Sequence, residues 1–259
     1  MSILKKLKIF YKKSKIKKGY IGRTFRGKKI PYFVIEKSTY PKVIVAYSIH
    51  AREYITTYLA LEQIKDFAIN GKKGTVYFVP CVNLDGVEIA LNKNPLYKAN
   101  YRKVDLNVNF DAKWGKGEQN TFKKSDANFI GKYPFSEKES TALRDFTLKV
   151  MPDLTISYHS KGEEIYYEFF QDEKAKSRDE KLAQAVAKAT GYQIKSTPNS
   201  SGGYKDWCIE RLKIPALTIE VGNDRLTHPI KKKDLPQIVE KNIKVLRVVT
   251  EHSIWKKSL

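Results

Sequence analysis

A histidine and a glutamate three positions apart, His50 and Glu53, directly follow the apolar run at 43–49. Such a run predicts a buried strand, so both side chains are expected where the strand ends and the chain turns into a helix. Imidazole and carboxylate groups are two of the three protein ligands that an open, catalytic zinc site requires. Two fixed residues also recur by chance, and the alternative is a surface histidine beside a solvated glutamate.

Another histidine and another glutamate end two further apolar runs. His159 follows residues 154–158, and Glu220 follows residues 216–219. In an open α/β sheet, ligands gather at the carboxyl ends of the strands, so His159 is predicted to complete the zinc set. Such a set leaves one position for water, and an unligated Glu220 could act as its general base. The alternative for Glu220 is a strand-end carboxylate held in a salt bridge.

The other two histidines, His228 and His252, lie in loop and terminal-helix contexts, and we do not expect them to be ligands. The two cysteines, Cys81 and Cys208, are predicted to be buried thiols, because a single pair does not indicate a disulfide framework. The predicted metal site therefore depends on His50, Glu53 and His159.

A sheet is needed to bring these strand ends together. Strands are predicted at 32–36, 43–49, 75–79, 154–158 and 216–221, and helices at 56–70, 136–150, 179–190 and 235–255. Because the strands are continuously apolar and are separated by helix-length segments, we predict a single-domain α/β fold with a mixed, largely parallel twisted sheet and helices on both faces. Ser136 and Glu139 predict a capping box for the second helix. The polar segment 95–133 is predicted to form active-site loops.

The chain has 259 residues, and we predict one catalytic domain over 20–259 preceded by a basic segment over 1–19. The eight lysines of that segment predict a solvated basic helix or arm, and contact with an anionic polymer or a membrane surface is the alternative. The segment lacks the apolar core of a Sec signal peptide. No run approaches the roughly 18 apolar residues of a membrane span, so no transmembrane segment is predicted.

The formal net charge is +21, from 49 basic and 28 acidic residues. This excess favours polyanionic partners such as nucleic acid or anionic cell wall. No recognisable nucleic-acid-binding module is present, and the lysines are spread along the chain. We therefore expect no specific nucleic-acid partner and a monomer, and the sequence does not indicate a compartment.

The chain also carries a series of motifs in the order typical of one family. They are Gly22-Arg23, His50-Ala51-Arg52-Glu53, Asn83-Leu84-Asp85-Gly86, Val104-Asp105-Leu106-Asn107, His159-Ser160, Gly202-Gly203-Tyr204-Lys205-Asp206-Trp207 and Ile219-Glu220-Val221-Gly222. In these motifs the chain resembles the zinc carboxypeptidase family, the M14 metallopeptidases, nearly end to end. The stretches 159–167 and 204–207 are most similar to the bacterial branch of γ-D-glutamyl-L-diamino acid endopeptidases and murein peptide amidases. The resemblance implies a zinc carboxypeptidase-like fold, one zinc ion per chain and a peptide substrate.

The resemblance implies the same zinc ligands and the general base Glu220. The family also uses an arginine to polarise the scissile carbonyl, a fixed charge where negative charge develops. Arg102 is the candidate for this role, and Lys98 is its competitor because the register of the tract 97–100 is ambiguous. Asn107 matches the family asparagine that helps to hold a substrate carboxylate.

Three positions depart from the family pattern or have an open role. Val108 stands where the family has an arginine that binds the terminal carboxylate, an ion pair that valine cannot make. Either Lys103 or Lys113 substitutes, or the enzyme cuts internally. Lys205 matches the floor of the specificity pocket and predicts a substrate side chain ending in a carboxylate, such as meso-diaminopimelate or glutamate, with a solvent-directed lysine as the alternative. Tyr204 is a candidate for the mobile catalytic tyrosine or a residue packed against the pocket wall.

The sequence thus predicts a zinc metallopeptidase that hydrolyses peptidoglycan stem peptides at the γ-D-glutamyl–diamino acid bond. The reaction would use metal-activated water and a glutamate base. Two alternatives remain. One is a carboxypeptidase or deglutamylase that removes acidic C-terminal residues, and the other is a non-catalytic basic module that binds cell wall or nucleic acid.

Overall fold

The computed structural model describes residues 1–255, and the predicted domain end at position 259 lies outside them. Eight strands form one sheet in the order β1-β2-β4-β3-β5-β8-β6-β7. They are β1 (Lys18–Arg23), β2 (Lys29–Glu36), β3 (Lys42–Tyr47), β4 (Thr75–Val79), β5 (Leu154–His159), β6 (Glu164–Tyr166), β7 (Gln193–Ile194) and β8 (Ala216–Glu220). The neighbours β4, β3, β5 and β8 are parallel, whereas β1 with β2, β2 with β4 and β6 with β8 are antiparallel. The predicted mixed, largely parallel sheet is confirmed.

The helices are α1 (Ile3–Lys13), α2 (Ile55–Asn70), α3 (Leu84–Asn92), α4 (Lys138–Val150), α5 (Glu173–Thr190), α6 (Tyr204–Leu212), α7 (Leu235–Asn242) and α8 (Val245–Thr250). Tyr77 and Phe78 are neighbours in β4, so their side chains point to opposite faces of the sheet. Phe146 of α4 packs against Tyr77 with ring centroids 5.8 Å apart, and Phe67 of α2 packs against Phe78 at 6.3 Å. Helices therefore cover both faces, as predicted.

Helix boundaries differ from the sequence prediction in three places. Helix α5 begins at Glu173, six residues earlier than predicted, because Asp172 caps it by accepting the N–H of Ala175. The predicted helix over 235–255 is divided into α7, α8 and a 3-10 turn at Ser253–Trp255. The capping box of α4 does not form, since the Ser136 hydroxyl donates instead to the Glu137 carboxylate. The short elements β1, β6, β7, α3 and α6 were not predicted.

The basic N-terminal segment forms α1 and the start of β1, so the predicted boundary at residue 20 falls inside a strand. Ile3 and Leu7 are buried in the main hydrophobic core, and the ring of Phe10 packs edge-on against Phe33 at 5.2 Å. One face of α1 is thus part of the domain rather than a solvated arm. Across residues 1–255, no helix combines the length and apolar character needed to cross a bilayer.

The central strands β3 and β5 hold the platform for the site. Tyr47 and Tyr158 are register partners whose buried rings stack 5.1 Å apart. The Tyr47 hydroxyl donates to the Gln63 amide oxygen at 2.6 Å, and the Gln63 amide nitrogen donates to the Tyr158 hydroxyl at 3.0 Å. These bonds tie both strands to α2 just before their polar ends, which limits movement of the residues that follow.

Candidate active site at the carboxyl ends of the parallel strands

The histidines and glutamates singled out by the sequence meet at one edge of the sheet. His159 is the last residue of β5 and is the register partner of Glu220, the last residue of β8. After β3, Ser48 adopts a left-handed φ of 48°, and its backbone N–H donates to the Thr56 hydroxyl. His50 then precedes a 3-10 turn at Ala51–Glu53, and this turn brings Glu53 beside His50.

The side chains of His50, Glu53 and His159 form a buried cluster whose donor atoms lie within 4.8 Å of one another. One Glu53 oxygen lies 2.9 Å from His50 Nδ1, and the other lies 3.0 Å from His159 Nδ1. The two Nδ1 atoms are 3.1 Å apart. Two nitrogens bound to one tetrahedral zinc at about 2.0–2.1 Å would be about 3.4 Å apart, so this spacing suits the ion.

The charge states of His159 and Glu53 suit a metal, whereas the burial of His50 is outweighed by Glu53 and Asp105, which raise its pKa, so a metal ion there would have to displace a proton. Burial lowers the pKa of His159, which favours the neutral imidazole that binds metal. Burial alone would raise the pKa of Glu53, but His50 and His159 beside it hold that pKa well below its usual range. A neutral imidazole and an ionised carboxylate are the ligand forms that zinc takes.

Asp105 orients the first histidine from the side opposite the cluster. Its Oδ1 lies 3.2 Å from His50 Nε2, and its Oδ2 lies 2.9 Å from the Lys98 ammonium. Although burial raises it, the charges of Lys98 and His50 hold the pKa of Asp105 well below its usual range. In the sequence, Asp105 stands out only as part of the motif Val104-Asp105-Leu106-Asn107. Its one signal in the sequence was its position directly before an apolar residue.

Glu220 is half-buried, and its Oε2 atom is buried without a hydrogen-bond partner within residues 1–255. Burial, and next the charge of Glu53, raise the pKa of Glu220 well above its usual range. No salt bridge holds it in the part of the chain that the structure describes, contrary to the alternative interpretation. A carboxyl with a raised pKa can accept a proton and retain it, as a general base must.

A cleft with a volume of about 340 Å³ opens beside this cluster. Its inner end is formed by His50, Lys98, Asn107 and Val108, and its outer walls are the loop residues 117–120, 128 and 197–200. The backbone N–H of Glu118 donates to the Asn199 carbonyl at 3.0 Å, which joins the two outer walls. The predicted residues Lys98 and Asn107 therefore face the cleft, and Arg102, Tyr204 and Lys205 are absent from its lining. Of the buried cluster only His50 lines the cleft, and Glu53, His159 and Glu220 lie behind it.

Lys98 and Arg102 have different surroundings. The Lys98 ammonium bridges Asp105 and the side-chain oxygen of Asn128, the latter at 3.2 Å. Arg102 lies outside the cleft, with Nε 3.6 Å from Glu137 and its guanidinium 5.4 Å from the Phe25 ring. The turn that begins at Asn100 explains this, because the Asn100 side chain accepts the backbone N–H of Arg102. The position predicted for Arg102 is thus corrected in favour of its competitor.

The two predicted residues on α6 point into the protein. Lys205 is 6% exposed, and its ammonium bonds to Asp206 at 2.6 Å and to the Glu168 carbonyl at 2.7 Å. Its charge is therefore compensated, and it does not form the floor of a pocket for acidic side chains. Tyr204 is fully buried with its hydroxyl 2.8 Å from that of Thr147, so it is a packing residue. Its backbone N–H donates to the Asn107 side-chain oxygen, which orients the Asn107 amide group.

Neither lysine considered as a substitute at Val108 reaches the cleft. Lys103 pairs with Asp126 at 3.3 Å, and the Lys113 ammonium lies 4.4 Å from the centre of the Phe170 ring. In place of an arginine, Val108 presents an apolar surface.

Two polar groups near the site were not assigned a role from sequence. Arg52 has a buried Nε without a hydrogen-bond partner in residues 1–255, and its charge acts on Lys98 and Glu220. Burial lowers the pKa of His228 to about 4, and the charges of Glu53 and Arg52 also act on it. His228 and His252 lie outside the three-residue cluster. Arg52 lies between two ligands in the sequence, which was a usable signal, whereas nothing marked His228.

Both cysteines are buried free thiols, as predicted.

Comparisons with known proteins agree with this geometry. The family described as zinc carboxypeptidase, Peptidase_M14, matches residues 3–245. The γ-D-glutamyl-L-diamino acid endopeptidase 1 of Lysinibacillus sphaericus is 28% identical over 83% of this chain and 62% of its own length. Carboxypeptidase B2 of Rattus norvegicus is 27% identical over 80% of this chain and 58% of its own length. The chain therefore spans about three fifths of these relatives.

Solved structures share the fold. Bovine thrombin-activatable fibrinolysis inhibitor, in complex with tick carboxypeptidase inhibitor, superposes with a TM-score of 0.84 at 20% identity, covering 97% of this chain and 96% of its own. Murein-tripeptide amidase MpaA from Escherichia coli O157 gives a TM-score of 0.66 at 20% identity, covering 89% and 92%. With the family match over residues 3–245 and a buried ligand cluster that suits zinc, the chain belongs to the zinc carboxypeptidase family.

Proposed function

We propose that the protein is a zinc-dependent peptidase that hydrolyses the γ-D-glutamyl–diamino acid bond of peptidoglycan stem peptides. The observation that carries the proposal is the buried cluster of His50, Glu53 and His159 beside the unpaired carboxyl of Glu220. The peptidoglycan substrate is supported by the similarity to the endopeptidase of Lysinibacillus sphaericus and to the fold of a murein-tripeptide amidase. All of these residues come from one chain, so we propose that a monomer is active.

The cluster would hold the ion, and zinc bound there acidifies water and polarises a carbonyl. Asp105 fixes the His50 ring so that Nδ1 points to the cluster. Glu220 takes the proton of the attacking water and later gives it to the leaving amine. Its raised pKa suits both steps, because the proton must be held between them.

Lys98 is the proposed positive charge for the developing oxyanion, in place of Arg102. An ammonium group has three N–H donors. On Lys98, two of these N–H donors point to Asp105 and Asn128. The third can donate to a substrate in the cleft that Lys98 lines. A charge held in this way needs little rearrangement when negative charge develops on the substrate.

The cleft favours internal cleavage over removal of a C-terminal residue. Val108 cannot bind a carboxylate, and both substitute lysines are turned elsewhere. The Asn107 amide group can still donate to a neutral peptide carbonyl. The compensated Lys205 also removes the reason for expecting an acidic substrate side chain. That reason was the motive for the deglutamylase alternative and one support for meso-diaminopimelate, so the diamino acid is now supported by the similarity to the endopeptidase alone.

The test is hydrolysis of a stem tetrapeptide, L-alanyl-γ-D-glutamyl-meso-diaminopimelyl-D-alanine, in which the γ-D-glutamyl–diamino acid bond is internal, by the zinc-loaded protein. Mass spectrometry should detect a new amine on the diamino acid. The peptide amidated at its C-terminus should be cut within about 3-fold of the free acid, because neither form loses an ion pair. Glu220→Gln should reduce kcat/KM by at least about 100-fold and retain zinc. The control Glu88→Gln removes a partly exposed carboxylate that pairs with Arg26 and Lys28, and it should leave both kcat/KM and zinc content unchanged.

Other results would point to the alternatives. Release of single residues from free but not amidated C-termini would favour the carboxypeptidase alternative. A folded protein with stoichiometric zinc and no hydrolysis would favour the non-catalytic module.

A further inference from the structure

The outer side of α1 forms a groove that the proposed peptidase reaction does not use. This α1 groove lies between α1, the β1–β2 hairpin and the start of α3, and its volume is about 860 Å³. That is more than twice the volume of the catalytic cleft, which is about 340 Å³. Its floor is apolar or aromatic and comprises Leu4, Leu7, Tyr11, Tyr20, Pro31 and Leu84.

Lysines surround this floor. Lys5, Lys8 and Lys12 are exposed along one stripe of α1, and Lys28 and Lys29 face them from β2 and the turn before it. Glu88 is the one acidic residue of the lining, and it pairs with Lys28 at 2.9 Å and with Arg26. Of the five lysines of α1, these three take part in no ion pair within residues 1–255. Their charges are therefore uncompensated at the edge of an apolar surface.

The platform beneath the groove is rigid. Ile3 and Leu7 anchor α1 in the core, and the Tyr11 and Tyr20 rings stack 4.9 Å apart across the gap between helix and strand. The Lys29 ammonium lies 4.9 Å from the centre of the Tyr20 ring. Because the helix is already formed and packed, a partner meets a preformed surface without the entropy cost of ordering a segment.

The apolar floor and the uncompensated lysines around it together indicate the chemistry of the partner. A double-stranded nucleic acid, or another polymer that presents only an ionic backbone, would neutralise the lysines but leave the floor against water. A single strand could stack bases on the two tyrosines but would leave Leu4 and Pro31 uncovered. An anionic phospholipid satisfies both features, because its phosphate meets lysine and its acyl chain meets the floor. Tyrosines at the boundary fit the same partner, since their rings are apolar and their hydroxyls polar.

We propose that the α1 groove binds anionic phospholipid and holds the enzyme at a membrane surface. Phosphate groups lie against Lys5, Lys8, Lys12 and Lys29, and acyl carbons cover Leu4 and the two tyrosines. The proposal is independent of which peptide the catalytic cleft takes.

The test is co-sedimentation of the zinc-loaded protein with vesicles of equal parts phosphatidylglycerol and phosphatidylcholine, compared with phosphatidylcholine alone. Binding should require the anionic lipid. Lys5→Gln/Lys8→Gln/Lys12→Gln should weaken binding by at least about 10-fold. The matched control Lys72→Gln/Lys232→Gln/Lys233→Gln removes as much charge from exposed positions elsewhere and should change binding by less than about 3-fold. Melting curves confirm that both variants fold.

A second variant tests the apolar floor separately from the charge. Leu4→Gln should weaken vesicle binding by about 3-fold or more and leave a larger share of the remaining binding sensitive to salt. Three results would overturn the proposal: equal loss in both triple variants, no effect of Leu4→Gln, or single-stranded DNA binding as tightly as the vesicles through the same three lysines. The last result would assign the groove to a polyanion.

Discussion

The metal-binding cluster and the substrate-binding wall of the cleft beside it are built in different ways. In the cluster, called the metal wall below although only His50 lines the cleft, His159 and Glu220 end central parallel strands, and His50 follows a third within three residues. The substrate-binding wall consists of loop residues 117–120, 128 and 197–200, joined by the hydrogen bond between Glu118 and Asn199. The positions of the side chains on the metal wall follow from the register of the sheet. The positions of those on the substrate-binding wall depend on how two long loops meet.

Register explains the difference in predictability. Adjacent strands lie about 4.8 Å apart, and a slip of one residue would turn every side chain to the other face. Both faces of β3 and β5 are buried, so a slip would disturb close packing on two sides and bury the polar residues at the strand ends among apolar side chains. No comparable pattern constrains a loop, so a side chain there can point inward or outward without a signal in the sequence.

The largest predicted effect concerns Lys205 on α6, which lies outside the substrate wall, and it reverses the role expected for this residue. Replacing it in Lys205→Met leaves Asp206 buried without its ion partner, which should lower the free energy of unfolding by about 3 kcal/mol. Urea denaturation measures this loss. The double variant Lys205→Met/Asp206→Asn should recover much of it, because a neutral amide keeps an acceptor for the Gly203 N–H.

If Lys205→Met were as stable as the parent and changed the preference for acidic over neutral substrates by 10-fold or more, Lys205 would belong to the pocket. The comparison of the two walls would then fail at this residue.

A somewhat smaller effect is expected on the metal wall. Asp105→Asn weakens the acceptor that orients His50, and loss of such a partner typically costs about 10- to 100-fold in metal affinity or activity. Competition with a chromophoric chelator measures zinc affinity. The control Asp126→Asn removes an exposed carboxylate that pairs with Lys103, and it should change affinity by less than about 3-fold. Unchanged zinc binding and kcat/KM in Asp105→Asn would show that the ligands need no support from this side.

The accuracy of the sequence-based predictions follows the same division. The five apolar strands were predicted to within a few residues, and with them the meeting of His50, Glu53, His159 and Glu220. Arg102 was misplaced because the orientation of a loop side chain depends on local bonds, here the cap that Asn100 provides.

Lys205 and Tyr204 were misplaced for a related reason. A helical residue near a site can face the core or the cleft, and only packing decides which. Asp206, one position away, neutralises the charge of Lys205, and the Tyr204 hydroxyl forms a hydrogen bond with the hydroxyl of Thr147 on α4. The partner on α4 is distant in sequence, so periodicity alone could not reveal it.

The smallest predicted effect tests whether the substrate wall can be converted. Val108→Arg places a guanidinium at the inner end of the cleft, where it can bind a carboxylate through two hydrogen bonds. The ratio of kcat/KM for free over amidated stem peptide should rise from about 1 to about 10, an ion-pair gain of about 1.4 kcal/mol.

Val108→Gln is the control, because it adds length and hydrogen-bonding capacity without charge. The substitution should be tolerated, since the close contact of position 108 with Gly202 involves the Val108 backbone rather than its side chain. If the ratio stayed near 1 in folded, zinc-loaded Val108→Arg, the substrate carboxyl would not reach this end of the cleft. Internal cleavage would then follow from the shape of the loops and not from the missing charge.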